Sequence, residues 1–450
     1  MWERSSRFHG LCSAVANPLV YYAGLYGASA ALLKLAGFVC FLWLARTLSV
    51  QEYATWGLLY ALQTAISSFA LAGIVEAVIG SLRTHRAVED QKQLFAAANS
   101  VFLLTSLLSI LVALVAFVCF FADANSSLLT LICVLASGGL LAHSSLQAQI
   151  VRLGEQHLAS LYFNFVVPFC GLVGSVIAFA HTRTTEAFFW GSTLGLFGPL
   201  GAARIYGLGF YGLARALTQW RPILLRISPF IAVTFLGWLS GYGNNYVIKL
   251  AFDAAEVAKF TLAFMLSTIM QLIASAMNQA WGPRFFRMIH ELPFDQVEKQ
   301  NRRFFGLQAV ALGLAGGFLV ALYPVALRTL GGNLTFYQSM NLEVFLLILS
   351  YVFLVPYWHC QNYLLAHDKG RSVMRMHVLT SVIGFALLLL FMLLFGPLGV
   401  YIGFLAQMLL RTAGAVFIAK KYWQLDFSMH GVAAGAALAF LGYLASGLAS

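Results

Sequence analysis

Two long apolar segments joined by a short polar turn occupy residues 27–80, which read GASAALLKLAGFVCFLWLARTLSVQEYATWGLLYALQTAISSFALAGIVEAVIG. Each segment has the roughly 20 apolar residues that an α-helix needs to cross about 30 Å of hydrocarbon. The same alternation continues along the chain and predicts thirteen spans. They are residues 22–45, 54–80, 95–121, 128–150, 158–180, 187–204, 228–251, 260–281, 304–326, 340–364, 376–395, 399–419 and 429–448. We therefore predict an all-α polytopic membrane protein with 12–13 transmembrane helices.

The cationic residues avoid every second gap between these spans. Of the 27 lysines and arginines, 20 lie in the amino-terminal tail and alternate loops, 4 lie in the other loops, and 3 lie inside spans. Lys and Arg in short loops stay on the cytoplasmic side. The amino terminus is therefore predicted to be cytoplasmic. We call the opposite side of the membrane the outer side.

The composition excludes several classes of protein. Charged residues make up 10% of the chain, against about 25% in soluble domains, and apolar residues make up 60%. The mean hydropathy of +0.82 leaves no room for a sizeable soluble domain. The net charge of +11 is spread over short loops, as membrane topology requires, so we predict no nucleic-acid partner. The six cysteines show neither CxxC spacing nor a disulfide framework.

Two features divide the chain into two lobes. Residues 204–227 alternate aromatics, leucines and arginines, as an interfacial helix does, and separate six spans from the next six. A weak repeat relates residues 45–54 to 249–258, and 147–157 to 361–371. Duplication of six helices gives parallel repeats. The predicted parts are a cytoplasmic tail (1–21), an N-lobe (22–205), a cytoplasmic interfacial linker (206–227), a C-lobe (228–419) and a cytoplasmic turn with an extra terminal helix (420–450).

The opening of each lobe resembles a known family. Leu44-Ala45-Arg46 ends the first span, Glu52-Tyr53 follows in the turn, and Gly73 closes the second span. This order resembles the polysaccharide-transport, or Wzx-type, flippases. Residues 237–283 resemble the start of that family's second half. Ala54 replaces the glycine usual after Glu-Tyr, and thirteen spans differ from the usual twelve or fourteen.

The family belongs to the multidrug/oligosaccharidyl-lipid/polysaccharide exporter superfamily. The resemblance implies two pseudo-symmetric six-helix lobes around a central cavity, and alternating access. It also implies export of a lipid-linked oligosaccharide across the bacterial inner membrane. Such a protein works with a polysaccharide polymerase and a chain-length regulator as possible partners, and H⁺ or Na⁺ is a possible coupling ion.

Two cations lie too deep in their spans to reach water easily. Lys34 is about 18 Å from either end of its helix, whereas a lysine stem reaches only about 6 Å. Arg411 is about 12 Å from the inner end of its span. Intramembrane charges are costly and usually face a cavity. We predict that Lys34 and Arg411 bind the diphosphate of the substrate; the alternative is that one pairs with a buried carboxylate or caps carbonyl groups.

Other polar groups within the spans form a second set of candidates. Lys249 could bind substrate but lies close enough to the outer end to snorkel. Glu76 and Glu343 are candidate carboxylates for proton or Na⁺ coupling, with solvation at the membrane interface as the alternative. The amides that could bond sugar hydroxyls, or bond across helices instead, are Asn244, Asn245 and Gln271.

One glycine-rich run predicts a flexible point. Residues 237–243, GWLSGYG, lie inside the seventh span, which is the repeat partner of the first. Glycines in a helix allow bending, although close packing explains them equally well. We predict a hinge there.

Three rival functions make different predictions. A drug or small-cation antiporter of the related multidrug family requires an acidic or aromatic cavity, whereas the deepest charges here are cationic. A membrane enzyme requires a His/Asp/Arg cluster or a large outer loop, and the ten histidines are scattered singly without HExxH, GxSxG or P-loop motifs. A non-transporting scaffold of an assembly complex is the third. We predict a transporter, not an enzyme, with no cofactor and no metal site.

Overall fold

A computed structural model of the chain describes residues 18–82, 88–121, 127–154, 156–208, 212–214, 217–367, 369–422 and 429–449. Most of the predicted amino-terminal tail (1–17) lies outside the described residues. The described helices are α1 (Pro18–Thr47), α2 (Val50–Leu71), α3 (Ile74–Leu82), α4 (Val88–Phe121), α5 (Leu128–Leu153), α6 (His157–Leu161), α7 (Val167–Thr182), α8 (Thr185–Ile205), α9 (Leu217–Leu239), α10 (Asn244–Ala251), α11 (Ala254–Glu291), α12 (Phe294–Leu330), α13 (Asn341–Phe353), α14 (Val355–Ala366), α15 (Gly370–Phe395), α16 (Leu398–Tyr422) and α17 (His430–Ala449). A π-helical turn (Tyr162–Val166) precedes α7, and a 3-10 helix (Gly332–Tyr337) follows α12.

The helices confirm the predicted fold class. Within the described residues, eleven helical runs are long and apolar enough to cross a membrane, and a twelfth is a pair bent by 47° within α9. The predicted sixth span is α8, which has 21 residues but does not count among the eleven. Its glycine, serine and threonine residues lower its mean hydropathy. Its glycines instead bring α8 close to α7, where Gly191 packs on the backbone of Gly174.

Several spans are broken inside the membrane, and each break has a local cause. Gly73 separates α2 from α3 with φ +77°, a left-handed conformation that glycine adopts without strain. Residues 240–243 form turns between α9 and α10, which places a break in the predicted glycine-rich run. Leu354 interrupts the tenth span just before Pro356. Breaks of this kind leave backbone groups free to line a cavity.

The lobes meet at several levels of the bundle: α9 packs on α2, α3 and α4, where Phe230 lies against Gly73, and further contacts lie nearer the outer side. Asn245 donates from Nδ2 to the Gly57 carbonyl (3.4 Å) and accepts from Thr261 Oγ1 (3.2 Å), so it joins α10 to α2 and α11. Tyr246 donates to the Leu58 carbonyl at 2.8 Å. At the outer surface, Asn333 Nδ2 donates to the Leu48 carbonyl at 2.7 Å. These contacts join the two lobes near the outer side of the described structure.

The thirteenth span is a helix that packs closely on the C-lobe. α17 lies against α12 and α13. Gly435 packs on the carbonyl of Ala309, and Gly442 packs on the backbone of Gly317. Small residues at both surfaces let the two backbones approach, which is the usual way for membrane helices to associate.

Candidate functional site

A cavity of about 290 Å³ lies inside the membrane between the lobes. It is bounded by α1, α2, α7, α8, α11 and the break after α9. Polar side chains line one part of it and apolar or aromatic side chains the rest, and they include Lys34, Tyr60, Gln63, Ser175, Ser192, Tyr242, Thr268 and Gln271, together with Phe38, Phe41, Pro168, Phe188 and Met265. We call it the central cavity.

Lys34 reaches the central cavity from the middle of α1. Its side chain is exposed, and neither a hydrogen bond nor an ion pair joins it to another residue in the described part of the chain. None of the described residues that line the cavity is Asp or Glu. Lys34 is therefore a membrane-embedded cation that faces open space without a carboxylate beside it. Such a group is costly unless an anion or water solvates it.

Gln271 lines the same cavity from α11, so the structure brings Lys34 and Gln271 together. Its side chain is exposed, and it stands opposite the N-lobe wall. The neighbouring Thr268, one turn earlier on α11, presents a hydroxyl to the same space. This wall offers an amide and a hydroxyl, which are the groups that bond sugar hydroxyls.

Sequence reasoning missed the aromatic part of the cavity. Tyr60 on α2 and Tyr242 in the break after α9 meet edge to face, with ring centroids 5.7 Å apart. Phe41 packs on Tyr60 from α1 at 5.2 Å. The sequence could have indicated Tyr60, because it lies three residues before Gln63 and both therefore share one face of α2. Tyr242 could not be found that way, because it lies where the helix is broken.

Arg411 does not belong to the residues that line the central cavity. It is 8% exposed in α16, and donates from Nη2 to Ser381 Oγ on α15 at 3.0 Å. Its guanidinium lies 5.9 Å from the ring centroid of Tyr357 on α14. Its Nε has no hydrogen-bond partner among the described residues. The structure therefore does not place Lys34 and Arg411 around one ligand in this cavity.

The other predicted substrate-binding residues lie outside the central cavity as well. Asn244 and Asn245 are 0% and 2% exposed, and both side chains bond backbone or side-chain groups of the helices around them. Lys249 is exposed in the last turn of α10, close to the outer side. For these three residues, substrate binding stays a prediction.

The two predicted coupling carboxylates lie far apart in the fold. Glu76 is exposed in the first turn of α3 and lines a cavity of about 470 Å³ with Gly73, Gln149 and Arg152. This cavity lies at the predicted inner side, beside the break between α2 and α3. Glu343 is half-buried in the first turn of α13, at the outer side. Three or more His, Cys, Asp or Glu residues in metal-binding geometry do not occur in the described part of the chain.

The fold and the cavity define a class of structure, namely the two-lobe helical transporter fold. Solved structures support this class. "Lipid II flippase MurJ, inward closed conformation" matches with a TM-score of 0.63 and 14% identity, over 94% of this chain and 98% of that one. The MATE multidrug transporter DinF-BH, solved as a complex, matches with a TM-score of 0.66 and 14% identity, over 94% of this chain and 98% of that one. A multidrug resistance MATE family transporter of the MOP superfamily, in an inward-facing conformation, matches with a TM-score of 0.64 and 12% identity. The match covers 90% of this chain and 95% of that one.

The sequence itself identifies the family. Residues 23–289, more than half of the chain, match the family described as "Polysaccharide biosynthesis protein". The chain belongs to this family. A comparison with curated proteins gave no match. The structural neighbours include both a lipid flippase and drug transporters, and at 12–14% identity they show the fold alone.

Proposed function

We propose that this protein is a flippase that moves a polyprenyl-diphosphate-linked oligosaccharide across the bacterial inner membrane. The substrate would be a repeat unit of an O-antigen, a capsule or an exopolysaccharide, and it would pass from the inner to the outer leaflet by alternating access. The observation that carries the proposal is Lys34, an exposed cation without a described partner in a cavity within the membrane.

The chemistry of the central cavity suits an anionic sugar headgroup. Lys34 supplies a positive charge for phosphate, and in a cavity shielded from bulk water that attraction is stronger than at a surface. Gln271 and Thr268 offer an amide and a hydroxyl for sugar hydroxyls. Tyr60 and Tyr242 offer ring faces against which a sugar ring packs. The family's link to polysaccharide biosynthesis agrees with this substrate class.

A drug or small-cation antiporter is the alternative. The aromatic lining of Tyr60, Tyr242 and Phe41 would suit a flat organic cation. Lys34 would repel that cation, and the described lining has no carboxylate to offset the repulsion. An anionic substrate is therefore the better match to this cavity.

The coupling ion and the partners belong to the same proposal. Glu76 at the inner side and Glu343 at the outer side are the predicted groups for H⁺ or Na⁺ coupling. A polysaccharide polymerase and a chain-length regulator would take over the substrate after it reaches the outer leaflet. The amino terminus is proposed to be cytoplasmic, from the distribution of cations.

The test is transport by the purified protein in proteoliposomes that contain a fluorescent polyprenyl-diphosphate oligosaccharide. Appearance of the sugar in the opposite leaflet is read with a membrane-impermeant lectin or quencher. We expect Lys34→Gln to lower the rate about 10- to 100-fold, since a hydrogen bond to a charged group contributes about 1.5–3 kcal/mol. Lys34→Arg should keep much of the rate, because it keeps the charge.

Lys421→Gln is the matched control, because Lys421 is an exposed lysine at the end of α16, away from the cavity. It should transport like the wild type. Equal rates for Lys34→Gln and the wild type, at equal protein levels, would remove Lys34 from the mechanism. Movement of small organic cations but not of the lipid-linked sugar would favour the antiporter.

A further inference from the structure

A buried histidine lies at the centre of a polar network in the C-lobe. His359 on α14 is 0% exposed. Its Nδ1 lies 2.7 Å from Oδ1 of Asn301, and its Nε2 lies 2.9 Å from Oε1 of Gln308, both on α12. Phe304 and Phe305 pack around the ring. Both ring nitrogens therefore have short polar contacts in a site closed to water.

A neighbouring donor orients the Asn301 amide, and two neighbouring acceptors orient the Gln308 amide. Trp281 Nε1, which can only donate, contacts Oδ1 of Asn301 at 3.3 Å. Gln308 Nε2 donates to the Ala274 carbonyl (3.4 Å) and to Oδ1 of Asn278 (3.3 Å). If the Asn301 amide were turned over, its NH₂ group would face the Trp281 donor. If the Gln308 amide were turned over, its oxygen would face the Ala274 carbonyl. The oxygens of Asn301 and Gln308 therefore face His359.

This arrangement requires two donors on one imidazole. A neutral imidazole has one N–H donor and one acceptor nitrogen, whereas imidazolium donates from both nitrogens. We propose that His359 is a proton-binding site that couples transport to a proton gradient, in addition to the predicted carboxylates Glu76 and Glu343, and that the ring is protonated in the conformation described. The proposal rests on the proposed function and names H⁺ as its coupling ion.

Loss of the proton would rearrange the network. A neutral ring would place a lone pair against one amide oxygen, so that amide would have to turn. Turning Asn301 would leave Trp281 Nε1 without its acceptor, and turning Gln308 would break its bonds to Ala274 and Asn278. Trp281, Asn278 and Ala274 all lie on α11. Protonation of His359 is therefore linked to how α11 is held against α12 and α14.

The same helix carries the wall of the central cavity. Gln271 lies one turn before Ala274 on α11, and Thr268 lies another turn earlier. A shift of α11 would therefore move the groups that face Lys34. A local protonation event with a two-state network and a moving helix is a recognised way to switch a protein between conformations.

Charged groups around the network act in both directions. The titratable and charged groups on the packed helices include Arg284 on α11, Glu298 and Arg302 on α12, Tyr357, Cys360 and Tyr363 on α14, His377 on α15, and Arg411 and Lys420 on α16. Glu298, one turn from Asn301, favours a positive charge nearby. Arg284, 5.9 Å from the Trp281 ring, and Arg411, 5.9 Å from the Tyr357 ring, oppose it.

The first test compares driven with passive transport in proteoliposomes. Without a pH gradient, exchange of labelled lipid-linked sugar between leaflets reports the flippase alone. With a gradient, net accumulation and the accompanying proton movement, read by a trapped pH dye, report coupling. We expect His359→Gln to keep exchange but to lose most of the proton movement. His181→Gln, an exposed histidine at the end of α7, should keep both.

The outcomes separate the two proposals. If the wild type moves no lipid-linked sugar under either condition, the proposed function fails. If His359→Gln retains full proton-driven accumulation, the assignment of His359 fails and the flippase stands. The elution profile in detergent shows whether His359→Gln folds. If it does not fold, Asn301→Asp is used for the test instead.

Asn301→Asp keeps the shape of the side chain and places a carboxylate beside the ring. Pairing with an opposite charge favours the protonated histidine. The pH dependence of driven transport should therefore move upward by about one pH unit or more. Histidine nitrogen NMR of the purified protein gives a readout without substrate: one imidazolium signal should be absent in His359→Gln and persist to higher pH in Asn301→Asp. An unchanged pH profile together with a neutral His359 signal throughout would overturn the inference.

Discussion

Lys34 and Arg411 carry the same charge inside the membrane but lie in different surroundings. Lys34 is exposed to a cavity, whereas Arg411 is 8% exposed and is held by one serine and one aromatic ring. A cation in a cavity is ready to bind a ligand. A buried cation with incomplete hydrogen bonding lowers stability, because burial removes its water without full replacement.

Replacement of Arg411 by methionine should therefore stabilise the protein. Exchange of a buried charge for an apolar side chain of similar size is neutral or stabilising by about 1–4 kcal/mol. Ser381→Ala should do the opposite, since it removes the described hydrogen bond and leaves the charge. Thermal unfolding in detergent measures both. If the midpoint of thermal unfolding falls as much for Arg411→Met as for Ser381→Ala, Arg411 stabilises the fold.

Depth in the membrane could be predicted from the sequence, but direction around the helix could not. Counting residues at about 1.5 Å each placed both cations well inside their spans. Which way a side chain points depends on the neighbouring helices, and those are set by the whole bundle. For the same reason Asn244 and Asn245 looked like cavity residues, whereas their side chains lie in helix contacts.

At the scale of elements, α17 offers a test of helix packing. A side chain added at Gly435 would overlap the Ala309 carbonyl, so Gly435→Val should push α17 away from α12. Overpacking of this kind costs about 1–3 kcal/mol. Gly447→Val is the control on the same helix, because a Cβ there meets nothing within 4 Å. The midpoint of thermal unfolding should fall only for Gly435→Val. Equal midpoints would mean that α17 contributes little to stability.

Local chemistry controls where α2 and α11 begin, at Val50 and Ala254, whereas the predicted spans began at residues 54 and 260. Ser49 accepts from the Glu52 amide at the start of α2, and Asp253 accepts from the Glu256 amide at the start of α11. The two caps match the predicted repeat, in which Glu52 and Glu256 correspond. The break in the glycine-rich run was also predicted, and its motion as a hinge stays a prediction. The π-helical turn before Pro168 was not predicted, because its hydrogen bonds depend on packing.

At the scale of the whole molecule, one set of contacts joins the two lobes on the outer side of the central cavity. Asn333 bonds the Leu48 carbonyl, Tyr337 packs against Tyr53, and Gly332 lies against Arg46. These contacts connect the 3-10 helix after α12 with the turn between α1 and α2. If the substrate leaves by alternating access between the lobes, these contacts have to separate.

A covalent link across these contacts should therefore stop transport. Arg46 and Asn333 are exposed residues at the contact, and Asn333→Cys removes the bond to the Leu48 carbonyl, so the unlinked double variant is the reference. In a background without the six native cysteines, Arg46→Cys and Asn333→Cys can be joined by a short cleavable bis-thiol reagent. We expect transport to fall to background after linking and to return after cleavage, because alternating access requires the outer halves to separate. Glu52→Cys with Thr184→Cys is the control, since it links residues of one lobe beside the Thr185–Glu52 contact. Full transport by the linked Arg46–Asn333 pair would show that the substrate leaves without opening these contacts, and rocking of the two lobes would then be the wrong mechanism.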